Sequence, residues 1–74
     1  LVCFVQPKDN QYYVSMRAKR GYDVAMIAKK FGGGGHVGAA AYLSNKSIKE
    51  IEEEVLKEFL EQIHQNKKIS TKIF

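Results

Sequence analysis

The sequence predicts a small two-layer α/β domain, a mixed sheet of three to four or more strands against two main helices. The order is β-β-α-β-α, with a further strand open at the C-terminal end. Three features of the 74 residues carry this reading. Two short runs near the start hold β-branched and aromatic residues, Val24 to Phe31 repeats apolar residues at helical spacing, and a longer helical repeat runs from Ile48 to Ile63.

Leu1-Val2-Cys3-Phe4-Val5 reads as a buried strand. Pro7-Lys8-Asp9-Asn10 supplies turn formers. The run from Tyr12 to Arg17 is the second strand, close enough to pair with the first as an antiparallel hairpin. Alternation places Tyr12, Val14 and Met16 on one face and Tyr13, Ser15 and Arg17 on the other. Asp23 is an N-cap for a helix whose stripe is Val24, Ile27, Ala28 and Phe31. Lys29 and Lys30 suit the negative end of its dipole, and Gly32 ends it. Small residues from Gly38 onward fit either a helix start or a tightly packed strand. A strand over Ala40–Leu43 is favoured because Ser44-Asn45-Lys46 breaks the run. Ser47 and Glu50 match a capping box. Behind it Ile48, Ile51, Val55, Leu56, Phe59, Leu60 and Ile63 form the most sustained apolar stripe of the chain. Residues 67–74 read as an edge strand or a tail.

Composition is that of a globular domain, with 45% apolar and 27% charged residues. No apolar run approaches the roughly 20 residues of a membrane span, so no membrane partner is expected. The single cysteine, Cys3, excludes an internal disulfide, reads as a buried apolar residue, and suits a reducing cytoplasm. Leu1 is not an initiator methionine, so the chain is expected to begin inside a longer polypeptide. The net charge of +4 is uneven. Residues 1–46 hold seven basic against two acidic residues, a net of +5, while residues 47–74 hold five against six, a net of −1. The positive half contains the glycines, which favours an anionic partner such as a nucleotide or nucleic acid.

Four consecutive glycines, Gly32 to Gly35, followed by His36 need a physical reason, because glycine costs roughly 0.5–1 kcal/mol of extra backbone entropy per position. Positive φ, close backbone approach or an anion-binding concavity of bare N–H groups would each supply one. His36 can donate to a phosphate oxygen in either protonation state, and Arg17 can grip phosphate with a bidentate fork. Gly33, Gly35 and Gly38 match G-x-G-x-x-G only formally. A dinucleotide fingerprint follows a strand and opens a helix, whereas this loop follows a helix. His36-Val37-Gly38 does not supply the Lys-Ser/Thr of a P-loop. Cys3, His36 and His64 lack metal-ligand spacing, and His64 reads as a surface residue. Tyr12 and Tyr13 fit either the core or base stacking.

At Val14-Ser15-Met16-Arg17 and from Phe31 through the glycines to His36-Val37-Gly38-Ala39-Ala40, the sequence resembles the C-terminal DHH-associated domain, type one, of the DHH phosphoesterases. That family includes RecJ-type single-strand exonucleases, nano-RNases that also dephosphorylate phosphoadenosine phosphate, and cyclic-di-AMP phosphodiesterases. The resemblance spans roughly residues 2–63, which gives residues 1–66 as the substrate-binding domain. It implies that a separate N-terminal DHH domain holds two manganese ions and does the chemistry. This fragment would then carry no catalytic or metal-binding residue and be inactive alone. It further implies that Arg17 grips substrate and that Gly33, Gly34, Gly35 and His36 contact phosphate, with Ser15 beside them. The partners implied are a nucleotide or single-stranded nucleic acid and the DHH domain of the same polypeptide, with a second copy of the chain as a further candidate. Two departures stand out. Ala18 replaces the serine common after the arginine, which puts a hydroxyl contact in doubt, and Ala41 replaces a glycine, a change expected to touch packing alone.

Two other readings remain open from sequence. One is a non-catalytic RNA-binding module related to the C-terminal domain of alanyl-tRNA synthetase, contacting RNA broadly through Lys8, Lys19, Arg20, Lys29 and Lys30. The other is an interaction domain that packs on a neighbour through an apolar face.

Overall fold

The computed structural model describes the backbone of residues 1–73 and the side chains of residues 1–64. Its elements run β1 (Val2–Lys8), β2 (Gln11–Arg17), α1 (Val24–Lys30), β3 (Gly34–His36), β4 (Ala39–Ser44) and α2 (Ile48–Ile73). All four strands join one sheet in the order β1-β2-β4-β3, and every neighbouring pair is antiparallel. The α/β class holds, with two corrections. The sheet is purely antiparallel rather than mixed, and a strand, β3, occupies part of the stretch expected to be loop. The edge strand or tail expected over residues 67–74 is helix as far as Ile73, and Phe74 lies outside the described residues.

The β1–β2 hairpin closes on two residues, Asp9 and Asn10, at φ of 46° and 65°. Asn and Asp tolerate this left-handed region, and two such residues give the turn that suits strand twist. β1 is a sheet edge, which accommodates Pro7 opposite Tyr12. It is not the buried strand expected. Val2 and Phe4 are about half exposed, and Cys3 is only partly buried. Partial burial and the nearby Glu52 carboxylate both raise the pKa of the Cys3 thiol.

Alternation along β2 is as expected. Val14 and Met16 are buried, Tyr12 packs against the core, and Tyr13 and Arg17 are exposed. β4 repeats the pattern with Ala40 and Tyr42 buried. Both helices cover this one face of the sheet, α1 through Val24, Ala25, Ile27 and Ala28, and α2 through Ile51 and Val55. Leu56 and Leu60, expected in the apolar stripe of α2, are instead about half exposed on its flank.

Caps fix where the helices start. The Asp23 carboxylate accepts from the Met26 amide, and Ser47 and Glu50 exchange side-chain-to-backbone bonds as a capping box. Sequence reasoning missed Gln62. Its amide accepts from the Asp23 N–H at 2.7 Å and donates to the Asp23 carbonyl at 2.8 Å, clamping α2 to the start of α1. Lys30–Glu58 and Lys46–Glu54 ion pairs add further ties to α2.

Tyr42 lies at the centre of the core, its ring 5.0 Å from that of Phe31. Its buried hydroxyl has no hydrogen-bond partner among the described residues. Burial pushes its pKa up to about 12, with Glu54 and Cys3 adding in the same direction. An unpaired buried hydroxyl costs free energy, so Tyr42→Phe should leave the domain as stable or raise stability by about 1 kcal/mol at neutral pH. Between pH 10 and 12 the unfolded phenol ionises while the folded one stays protonated, so stability falls as pH rises through that window. Lys30 and Lys46, whose pKa values their glutamate partners raise, lose their contribution in the same direction above the ordinary lysine range. Tyr42→Phe should therefore shallow the alkaline loss without abolishing it, as followed by urea denaturation at pH 8, 10 and 11.5.

Candidate functional site

The sheet face opposite the helices is uncovered, and register determines what stands on it. Partners in an antiparallel sheet share a face, and adjacent strands lie about 4.8 Å apart. Val2, Arg17, Ala39 and His36 form one row across all four strands. Phe4, Ser15, Ala41 and Gly34 form the next, and Gln6, Tyr13 and Leu43 the third. Arg17 and His36 thus flank Ala39 with backbones about 10 Å apart, the two strand spacings between β2 and β3. A depression of about 260 Å³ lies here, lined by Tyr13, Ser15, Arg17, Gly34, Ala39 and Ala41 among others.

Small residues make the depression. Ala39 and Ala41 on β4 and Gly34 on β3 leave a low floor between taller side chains in the flanking positions. Arg17 and His36 are both exposed, and neither side chain makes a hydrogen bond or ion pair with the described residues. The rows contain no acidic residue. The α2 glutamates Glu54 and Glu58 instead pair with Lys46 and Lys30 on the helical side. Arg17 is therefore the cation that lines the depression, a fork suited to a phosphate or carboxylate.

The four glycines divide by role. Gly32 sits at φ +88°, its N–H bonded to the Lys29 carbonyl while the Gly33 N–H reaches the Ala28 carbonyl at 2.8 Å. That paired pattern is a helix-ending Schellman motif. The expected concavity of bare N–H groups does not extend to these two residues, since both N–H groups are spent inside the chain. Gly33 is required by close approach. A Cβ there would overlap the Ala41 carbonyl oxygen and lie 2.5 Å from the Tyr42 Cβ. Gly35 combines φ +146° with a Cβ position 2.6 Å from the Ala40 Cα. Gly34 meets nothing within 4 Å and opens onto the depression.

The turn after β3 is pinned on both sides. The Val37 carbonyl accepts from the first helical N–H of α1, at Val24, and the Gly38 carbonyl accepts from Ala18. These bonds hold His36 in register with Arg17. Ala18 packs against the core, away from the open face, so the departure there removes no hydroxyl from the depression. The departure at Ala41 is not confined to packing, because its position lines the floor between Ser15 and Gly34. His64 is exposed in the second half of α2.

Among the described residues, no three or more His, Cys, Asp or Glu side chains come together as a metal ion would require. None of the described helices is long and apolar enough to cross a membrane. Residues 1–68 match the family model described as DHHA1 domain. No curated protein matches the chain.

Proposed function

The chain belongs to the DHHA1 domain family, whose members accompany DHH-family phosphoesterases, and from that membership we propose that its open sheet face holds the substrate's phosphate for such an enzyme. Register is what supports this reading: Ser15, Arg17, Gly34 and His36 share one uncovered face, around a depression without acidic neighbours. Arg17 would supply a bidentate charge-assisted grip, and His36 and the Ser15 hydroxyl single donors from either side. Gly34 and the alanines let a phosphate approach the sheet closely. β3 is an edge strand, so its outward N–H groups add donors at the rim. Gly33 and Gly35 act at one remove, by allowing β3 and β4 to lie close enough to form the floor.

The substrate would be a short oligonucleotide, phosphoadenosine phosphate or a cyclic dinucleotide. Hydrolysis, and the manganese that the resemblance implies, would belong to a DHH domain of the same polypeptide. Among the described residues no set of donors fits a metal.

Calorimetric titration with a short single-stranded RNA and with phosphoadenosine phosphate tests the reading. The 74-residue chain should bind both, more weakly as salt rises. His36→Ala should weaken binding about tenfold while the melting temperature stays at the wild-type value, because the side chain is exposed and unpartnered. Absence of binding at millimolar ligand, or loss of folding in His36→Ala, would contradict the assignment.

A further inference from the structure

We propose that Tyr13 is a stacking wall that holds the nucleobase of the ligand, so that the open face reads a base as well as a phosphate. This rests on the phosphate reading of Arg17 and His36 and extends it toward specificity. Tyr13 stands two residues from Ser15 and four from Arg17 along β2, on the same face. That separation is about 13 Å at strand rise. The long arginine side chain reaches across part of it and leaves a span suited to one nucleotide. Tyr13 lines the same depression as Arg17, Gly34 and the alanines, and it is 37% exposed, so its ring borders the floor without being consumed by the core.

Two neighbours favour an aromatic ligand there. The Lys8 ammonium sits over the Tyr13 ring, 5.5 Å from its centroid. Lys8 lies two residues beyond Gln6, the β1 partner of Tyr13, and so further along the sheet from Arg17. A cation on one face of the ring steadies it and leaves the other face for a flat partner. Leu43 stands beside Tyr13 on β4 and Phe4 diagonal to it on β1, each about half exposed, and they extend the apolar rim. Tyr12, the other aromatic candidate, packs against the core on the opposite face and is excluded from this role.

Adenosine 5′-monophosphate and ribose 5-phosphate, which lacks the base, separate the stacking claim from the phosphate claim. The wild-type chain should bind the nucleotide at least about tenfold more tightly. Tyr13→Leu should abolish that preference while ribose 5-phosphate binding stays unchanged, and Tyr13→Phe should retain it. In NMR spectra the Tyr13 ring resonances should shift upfield with the nucleotide and not with ribose 5-phosphate, a readout that needs no variant. Equal binding of the two ligands, or an undiminished preference in Tyr13→Leu, would overturn the stacking role and leave the phosphate site standing. Failure of both ligands to bind would instead overturn the phosphate reading, and the stacking role with it.

Discussion

Gly33→Ala is expected to unfold the domain, whereas Gly34→Ala, one residue along, should leave it folded. A methyl at Gly33 has nowhere to go. It overlaps the Ala41 carbonyl oxygen and comes within 2.7 Å of the Tyr42 Cα, both parts of the β4 backbone rather than flexible side chain. β4 is an interior strand held by β2 and β3, and the Gly33 N–H is tied to α1 through Ala28. Relief therefore requires separating α1 and β3 from the sheet or breaking the helix cap. Overpacking alone costs about 1–3 kcal/mol and more where backbone must move. A domain of this length holds only roughly 5 kcal/mol in total. Gly35→Ala should be nearly as severe, because its added Cβ would lie 2.6 Å from the Ala39 oxygen at a φ that L residues avoid. Gly34→Ala meets open space and should melt within about 0.5 kcal/mol of the wild type beyond the small cost or gain of the backbone change. Circular dichroism during urea denaturation decides the matter, and a Gly33→Ala protein as stable as wild type would show that β3 does not approach β4 as described.

Arg17→Ala should have the opposite profile, intact folding with a loss of ligand binding of about ten- to a hundredfold. The Arg17 side chain is exposed and takes no part in the hydrogen bonds or ion pairs of the described residues, so its truncation deprives the fold of no contact of that kind. A charge-assisted contact to phosphate is worth about 1.5–3 kcal/mol, which gives the binding loss. Arg17→Lys should recover only part of it, because an ammonium is a point charge and cannot match two phosphate oxygens at once. Calorimetric titration of the three proteins with phosphoadenosine phosphate checks the order. Equal affinities would remove Arg17 from the site, and a fall in thermal stability would give it a structural role instead.

Much of the fold was legible because local chemistry and tertiary packing agree. Asp23 and Ser47 cap the helices they were expected to cap, and β2 faces the core with the residues its alternation selected. What was not legible depended on long-range partners. β3 has no side-chain pattern of its own, since Gly34 and Gly35 carry none, and only its pairing with β4 makes it a strand. The edge position of β1 and the exposure of Leu56 and Leu60 are set by strand order and helix docking, which apolar runs do not encode. Gln62 gave no signal at all, because a glutamine on a helix flank is ordinary until Asp23, 39 residues away, is brought beside it.

At the site, the residue types could be read but not their division of labour. The sequence favoured one anion-binding glycine loop, whereas Gly32 ends a helix, Gly33 and Gly35 permit close backbone approach, and Gly34 alone of the four opens freely onto the depression. Of the five cations that an RNA-binding module would use, Lys30 is held in an ion pair, with Glu58 on α2. Arg17 is the cation that lines the depression.

The central claim, that this open face of the sheet receives the phosphate, is tested most directly by amide chemical shifts of the 74-residue chain during titration with adenosine 5′-monophosphate. Shifts concentrated at Ser15, Arg17, Gly34, Gly35, His36, Ala39 and Ala41 are the expected result. Shifts spread over Lys19, Arg20, Lys29 and Lys30, with those seven residues unmoved at saturating nucleotide, would contradict it.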